Sequence, residues 1–160
     1  MKKIAIHSEL FIIESIDALD AESKTLMLSA IEARKNAYAP YSKFQVGAAI
    51  LLANEAIVIG SNQENAAYPS GLCAERVAIF QAGALYPNVE ILKIAITATS
   101  LNNPVLSPIP PCGACRQSMA EYEIKQEKPI QIYFMGENGE VHLSSSLKNL
   151  LPFGFEKKYL

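Results

Sequence analysis

The chain has 160 residues, of which half are hydrophobic and 19% are charged. Such a length and composition predict one globular domain with a sizeable core, and they argue against intrinsic disorder. Fourteen basic residues against sixteen acidic ones leave no surplus of positive charge for a phosphate backbone, so nucleic acid is not an expected partner.

The sequence predicts no membrane or targeting segment. No apolar stretch approaches the roughly 20 residues that a membrane-spanning helix needs. The apolar run over residues 4–16 is interrupted by polar and charged residues and lacks a small-residue cleavage site, so we do not expect a signal peptide. The three cysteines are an odd number in motif spacing, which argues against a disulfide framework and favours the reducing cytoplasm.

The first part of the chain predicts a strand, a helix and a pair of strands. β-Branched residues over 3–14 indicate an extra strand or hairpin. A helix is expected over 21–37, where Asp20 can act as the N-cap. Two further strands, over 46–52 and 57–60, flank a turn.

The second part of the chain alternates between helices and strands. A helix over 73–82 is expected to end near Gly83, since glycine commonly follows the last turn of a helix. A buried strand over 91–98 and a proline-rich loop lead to a second helix over 112–122. The remaining predicted elements are strands over 130–135 and 141–143 and a short helix capped by Ser146. This order predicts a single α/β domain over 1–160, with three α/β/α layers around a mixed sheet of about five strands.

All three cysteines lie in two short motifs, Cys73–Glu75 and Cys112–Cys115. Three thiolates are one ligand short of a closed tetrahedral zinc site, and a catalytic zinc keeps its fourth position open for water. A redox pair in the second motif would leave Cys73 without a role. A closed structural site would need His7 or His142, which lie in strand-like segments away from the motifs. The sequence therefore favours a hydrolytic zinc enzyme.

The residues next to the cysteines supply the rest of a hydrolytic site. Glu75 follows Cys73 by two positions, where its carboxylate can take a proton from a water molecule on the metal. A Glu in a first helical turn can also serve only to complement the helix dipole. Three thiolates give zinc a formal charge of about −1, so a donor to the sulfurs is expected to draw charge from them. Arg76 is the first candidate and Arg116 the second, and a surface or interface salt bridge is the alternative for either.

Longer segments surround these motifs. They are Tyr38–Ala49, Gly60–Tyr68, Cys73–Arg76, Pro110–Gln117 and Leu150–Phe155. In this order, and over residues 22–160, they resemble the cytidine deaminase family in its small form, whose zinc is held by three cysteines. The resemblance implies a cytidine deaminase-like domain with one zinc ion per chain on Cys73, Cys112 and Cys115, and with Glu75 as the catalytic proton carrier. Residues 1–20 form an N-terminal extension, without an assigned role, before the family's usual start.

The resemblance also implies contacts with a nucleoside. Asn62 and Glu64 would hydrogen-bond the ribose hydroxyls, and Phe44 would lie against the pyrimidine ring. The backbone of Ala74 would be a further contact with the base. A homotetramer with active sites near the subunit boundaries is implied as well, in which the ring of Phe155 reaches the ligand pocket of a neighbouring subunit.

The predicted function is zinc-dependent hydrolytic deamination of cytidine and deoxycytidine to uridine and deoxyuridine plus ammonia, in pyrimidine salvage. Two alternatives stay open. One is a deaminase of a modified or antibiotic nucleoside, similar to blasticidin deaminase, although Asn62 and Glu64 favour an ordinary ribose. The other is a zinc-stabilised binding module without catalysis, against which Glu75 and the presence of only three cysteines argue.

Overall fold

The computed structural model describes all 160 residues of the chain. Helices and strands alternate after a short first strand. The strands are β1 (Phe11–Ile13), β2 (Phe44–Leu52), β3 (Ile57–Ser61), β4 (Ile91–Ser100), β5 (Gln131–Met135) and β6 (Val141–Ser144). The α-helices are α1 (Ala21–Arg34), α2 (Ala74–Leu85), α3 (Gly113–Gln126) and α4 (Leu147–Leu150). None of these helices combines the length and apolar character that a membrane span requires.

The strands form one mixed sheet in the order β1-β6-β5-β4-β2-β3. β4 and β5 pair in parallel, and α3 lies in the crossover between them, as a parallel pair requires. The other pairs are antiparallel. The sheet has six strands rather than the predicted five or so, because β1 adds to the edge of β6. Only Phe11–Ile13 is extended within the predicted segment 3–14, and no hairpin forms there.

Helices cover both faces of the sheet, which confirms the predicted three layers. α1 buries Leu26 and Met27 on one face, against residues of β2, β4, β5 and β6. The other face carries the larger core, in which Ile79 of α2, Met119 of α3 and Phe134 of β5 are buried together. Burial of such side chains stabilises the fold by about 2 kcal/mol each, before the entropy cost of ordering them.

Two helices begin where the sequence predicted a cap. Asp20 accepts the Ser23 N–H at 2.8 Å and the Ser23 hydroxyl at 2.7 Å, which starts α1. The hydroxyl of Ser146 accepts the Lys148 N–H at 3.1 Å and starts α4. α1 ends at Arg34, short of the predicted residue 37, whereas α3 continues beyond the predicted residue 122.

α2 ends near Gly83, as predicted, but Gly83 is not its C-terminal stop. α2 continues to Leu85, so Gly83 is an interior residue of the helix. A Cβ at this position would lie 2.4 Å from the hydroxyl oxygen of Tyr122. Glycine is therefore needed for the close approach of α2 to α3, and not for a change of chain direction.

Candidate active site

The three cysteine sulfurs meet between the first turns of α2 and α3. Cys73 is the N-cap of α2, Cys112 is the N-cap of α3, and Cys115 lies in the first turn of α3. The Cys112 sulfur is 3.4 Å from that of Cys115 and 4.0 Å from that of Cys73, and the three sulfurs all lie within 4.8 Å of one another. Ligands at tetrahedral Zn–S distances are about 3.8 Å apart. The cluster is therefore suited in size and donor type to hold one zinc ion.

No histidine joins this cluster, and no cysteine is in a disulfide. The cluster thus contains three of the four ligands that a closed structural zinc site has. Cys73 is half-buried and Cys115 is buried, while Cys112 is exposed toward solvent. The arrangement leaves one side of the cluster accessible, which a catalytic metal site needs.

Hydrogen bonds within the cluster favour a thiolate at Cys73. A hydrogen bond from Cys115, together with one from Arg76, lowers the pKa of Cys73 to about 5. The same bond to Cys73 and burial raise the pKa of Cys115 above its ordinary value. The Nη2 atom of Arg76 lies 3.9 Å from the Cys73 sulfur, whereas its buried Nε atom has no hydrogen-bond partner. That unpaired donor lies beside a cluster with a net charge of about −1, whether Cys73 is the one thiolate or three thiolates surround Zn²⁺.

Glu75 lies in the first turn of α2, close to the sulfur cluster. Only 5% of its surface is exposed. Burial raises the pKa of Glu75, because the charged carboxylate loses its water. A carboxyl group with a raised pKa can both accept and return a proton near neutral pH.

A glycine on β3 allows the first turn of α2 to approach the sheet. A Cβ at Gly60 would lie 2.5 Å from the Ala74 carbonyl oxygen and 2.6 Å from the Ala78 nitrogen. Both of these are backbone atoms, which cannot move aside as a flexible side chain can. Gly60 thereby permits the helix position that carries Cys73 and Glu75.

A cleft of about 780 Å³ opens beside the cysteines. Its lining includes seven of the predicted site residues, namely Phe44, Asn62, Glu64, Cys73, Glu75, Arg76 and Cys112. Its volume is within the range of small-molecule binding sites. A smaller cavity of about 290 Å³ lies between α2, α3 and the start of β4, and it contains none of the predicted site residues.

Asn62 binds the backbone at the start of β2, and Glu64 binds the backbone of the loop between α1 and β2. The Asn62 amide donates to the Phe44 carbonyl at 2.9 Å and accepts the Val46 N–H at 2.8 Å. The Oε2 atom of Glu64 accepts the N–H groups of Tyr41 at 2.9 Å and Ser42 at 3.3 Å. A hydrogen bond from the Ser42 side chain is the main cause that lowers the pKa of Glu64. Asn62 still has a second amide hydrogen, and the Oε1 atom of Glu64 accepts no backbone N–H.

Four of the predicted site residues, Ala74, Cys115, Arg116 and Phe155, lie outside the cleft lining. Ala74 is fully buried, so only its backbone could reach a ligand. Phe155 is 57% exposed and lies beside Tyr159, with ring centroids 5.8 Å apart, rather than in the cleft of its own chain. Cys115 is buried behind the other two cysteines of the cluster.

Arg116 contacts the backbone and not the sulfurs. It donates to the Pro111 carbonyl at 2.7 Å and to the Leu150 carbonyl at 2.9 Å. The first bond holds the residue that precedes Cys112, and the second joins the start of α3 to the end of α4. Arg116 thus supports the loop that carries a cysteine, while Arg76 alone donates to a sulfur.

Several cleft residues were not predicted from the sequence. Ile109 and Pro110, which precede the second cysteine motif, line the cleft together with Tyr41, Ser42 and others. Ser42 also accepts the Phe44 N–H at 3.0 Å. Its position in the Tyr38–Ala49 segment was the available signal, but a serine two residues before a strand has no distinctive pattern.

Known proteins resemble this chain over most of its length. The family model for the cytidine and deoxycytidylate deaminase zinc-binding region matches residues 20–128. The cytidine deaminase of Halalkalibacterium halodurans is 40% identical over 134 residues, which cover 84% of this chain and 94% of that protein. The cytidine deaminase of Sporosarcina psychrophila is 38% identical, over 91% of this chain and 94% of that protein.

Solved structures agree with these relatives. The crystal structure of cytidine deaminase from Burkholderia pseudomallei superposes with a TM-score of 0.69 at 36% identity, covering 82% of this chain and 97% of that one. The crystal structure of cytidine deaminase from Mycobacterium tuberculosis gives a TM-score of 0.65 at 28% identity, covering 86% of this chain and 99% of that one. With its three-cysteine cluster, its layered fold and these relatives, the chain belongs to the cytidine and deoxycytidylate deaminase family.

Proposed function

We propose that this protein catalyses the hydrolytic deamination of cytidine and deoxycytidine to uridine and deoxyuridine, with release of ammonia. One observation carries the proposal. Two thiols of the cysteine cluster line the same cleft as a buried carboxyl group, an aromatic ring and two polar side chains suited to a sugar. The names of the relatives support the choice of reaction.

Cys73, Cys112 and Cys115 would hold one zinc ion, since their sulfurs converge and no other ligand type joins them. When bound, the ion supplies an activated water at neutral pH as the nucleophile for the pyrimidine C4 atom. Arg76 compensates part of the negative charge of the thiolates through its bond to Cys73. Arg116 acts at a distance, by holding the loop before Cys112.

Glu75 is the proton carrier in this proposal. Its carboxylate takes one proton from the attacking water and gives it to the ring N3 atom, then takes the second proton from the hydroxyl group on C4 and gives it to the departing amino group. The C4–N bond then breaks, ammonia leaves, and the oxygen from water remains as the carbonyl oxygen of the uracil ring. Burial of Glu75 supports this role, because a raised pKa brings the group nearer to the pH at which it must exchange protons.

The polar groups of the cleft favour a nucleoside over a nucleotide. Asn62 uses one amide hydrogen for the Phe44 carbonyl, so its second amide hydrogen can donate to a ribose hydroxyl. Glu64 uses Oε2 for the backbone, so its Oε1 atom can accept from a ribose hydroxyl. An ionised Glu64 repels a phosphate, and the guanidinium of Arg76 is already engaged with Cys73. Phe44 would lie against the pyrimidine ring, and the backbone of Ala74 would contact the base.

We also propose a homotetramer with active sites near its subunit boundaries. The exposed ring of Phe155, which has no place in the cleft of its own chain, supports a contact with a neighbouring subunit. The three free thiols suit a reducing compartment, so we place the reaction in the cytoplasm and in pyrimidine salvage.

Mixing Phe155→Ala chains with Glu75→Gln chains tests the shared site. Hybrids should recover deaminase activity, because some of their sites lack both defects. A strictly monomeric mass in solution, together with deamination of cytidine at full rate, would contradict the proposal.

The test of the main proposal is ammonia release by the purified, zinc-loaded protein. Cytidine and deoxycytidine should be turned over, while CMP and cytosine should be much poorer substrates. Glu75→Gln is the matched control, because it keeps the cysteines and changes one group. Turnover of a modified nucleoside without turnover of cytidine would favour the alternative deaminase, and no turnover of any nucleoside would favour a binding module.

A further inference from the structure

Lys43 has a left-handed backbone conformation beside the cleft. Its φ angle is +58°, and the only other non-glycine residues with positive φ are Glu55 and Glu127. A lysine seldom adopts this conformation, because its Cβ crowds the following carbonyl group. The side chain of Lys43 is exposed, so packing of that side chain does not explain it. The residues on either side, Ser42 and Phe44, both line the cleft.

Backbone hydrogen bonds hold Lys43 in this conformation. Its N–H donates to the Ala39 carbonyl at 3.1 Å, and its carbonyl accepts the Leu101 N–H at 3.0 Å. The Phe44 N–H donates to the Ser42 hydroxyl at 3.0 Å, in a bond that spans Lys43. Strained residues that are held by several contacts cluster at functional sites.

The segments before and after Lys43 are each held by one of the proposed sugar-binding side chains. Glu64 accepts the N–H groups of Tyr41 and Ser42, which come before Lys43. Asn62 accepts the Val46 N–H and donates to the Phe44 carbonyl, both of which come after it. If Lys43 had a negative φ, the chain direction would change between these segments, and both sets of bonds could not be kept.

We propose that Lys43 is a positioning residue, whose left-handed backbone rather than its ammonium group sets Phe44 in the cleft before the nucleoside binds. The inference rests on the proposed function, because Phe44 matters to catalysis only if a pyrimidine lies against it. A ring that is already in place loses little freedom on binding, so its placement affects the affinity for the nucleoside more than the chemical step.

Substitutions that differ in their tolerance of the left-handed region test this. Lys43→Gly and Lys43→Asn remove the ammonium group but accept a positive φ, whereas Lys43→Val does not. We expect the KM for cytidine to stay within about twofold in the first two variants and to rise about tenfold in Lys43→Val, with a smaller fall in kcat. Lys43→Ala keeps the Cβ of the parent and removes the ammonium group, so its KM should also stay within about twofold, and Lys43→Thr, which is β-branched like valine, keeps the test usable if Lys43→Val does not fold.

Glu55 offers a matched control. Its φ angle is +67°, and it lies in the turn between β2 and β3, at the opposite end of β2 from Phe44. Glu55→Val should lower the melting temperature about as much as Lys43→Val, yet leave the KM for cytidine unchanged. An unchanged KM in both Lys43→Val and Lys43→Thr would overturn the inference. An equal rise in KM in Lys43→Gly and Lys43→Val would also overturn it, because the effect would then come from the loss of the ammonium group.

A second readout is independent of turnover. The chain contains no tryptophan, so Phe44→Trp introduces a single fluorescent reporter in the cleft. Adding Lys43→Val should shift its emission and its quenching by acrylamide, whereas Lys43→Gly should not. One outcome is that the parent protein fails to deaminate cytidine while the tryptophan emission shifts in Lys43→Val and not in Lys43→Gly. In that case the proposed function fails and the positioning role stands. If the parent is active and the reporter does not respond, only the positioning role fails.

Discussion

The Nη2 atom of Arg76 lies 3.9 Å from the sulfur of Cys73, across the first turn of α2. Residues three apart share a helix face, so the helix itself places the guanidinium beside the N-cap thiol. The bond raises the pKa of Arg76 and helps to lower that of Cys73. A positive charge is thus held beside the group that must be a thiolate to bind a metal.

Arg76→Gln is therefore expected to weaken zinc binding by about tenfold to a hundredfold, as the loss of a group that supports a metal ligand commonly does. The pKa of Cys73 should rise toward that of an ordinary thiol, so zinc should also be released at a higher pH on acidification. Competition with a chromophoric chelator at several pH values measures both effects. Arg116→Gln is the comparison, because Arg116 bonds only backbone oxygens. An equal rise in the pH of zinc release in both variants would contradict a specific role for Arg76.

Glu75→Gln is expected to keep its zinc and to lose about 10²- to 10⁴-fold in kcat, because an amide cannot carry the protons. Zinc content by mass spectrometry and turnover of cytidine measure the two properties on the same sample. Near-normal deamination by this variant would rule out Glu75 as the proton carrier.

The same variant has a consequence for stability. Burial raises the pKa of Glu75 in the folded state, so the folded protein favours the protonated carboxyl group. The stability that this preference contributes is fully present below the pKa of the unfolded chain and is lost as pH rises through the folded-state pKa. Without metal, Glu75→Gln should therefore be at least as stable as the parent at neutral pH. Chemical unfolding of the metal-free proteins at pH 4 and pH 7 checks this, and the advantage of the variant should be larger at pH 7.

Glu123 of α3 binds the segment before β5 and the start of α4, on the face of the sheet that α2 and α3 cover. Its buried carboxylate accepts the Ile130 N–H at 2.8 Å, the Leu147 N–H at 2.9 Å and the Ser146 hydroxyl at 2.7 Å. Glu123→Ala should lower the free energy of unfolding by about 3 kcal/mol, because it leaves these donors without an acceptor. Glu121→Ala removes an equal charge from an exposed site on the same helix, so it should change stability by less than about 0.5 kcal/mol. Denaturant unfolding of both variants measures the difference.

Gly60→Ala should disturb the site through the position of α2. Its Cβ would meet the backbone of the first turn, which must then move away from β3 with Cys73 and Glu75. We expect a loss of about 1 to 3 kcal/mol in stability, as overpacking commonly causes, and weaker zinc binding. Gly113→Ala is the contrasting variant, since its Cβ meets nothing within 4 Å, and this change at the first residue of α3 should not lower stability. Equal stability and zinc affinity in Gly60→Ala and the parent would show that α2 can shift freely.

Structural features that depend on residues close together in the chain could be predicted from the sequence alone. The caps at Asp20 and Ser146 depend on a side chain and an N–H group two or three positions away, and both form as predicted. The grouping of the cysteines was predictable for a related reason. Cys112 and Cys115 are a helical turn apart, and the chemistry of three thiols required Cys73 to join them.

Contacts between distant segments were decided only by the tertiary structure. Gly83 looks like a helix end in sequence, but its neighbour across the packed helices is Tyr122. An extra strand was predicted within residues 3–14, but its place at the edge of the sheet depends on the pairing of β1 with β6, which are more than a hundred residues apart. Asn62 and Glu64 hold the loop around Lys43, and Arg116 reaches the end of α4, because the folded sheet and helices bring these backbones within hydrogen-bonding distance. Such partners leave no local pattern, since their spacing along the chain is set by topology and not by the geometry of one helix or strand.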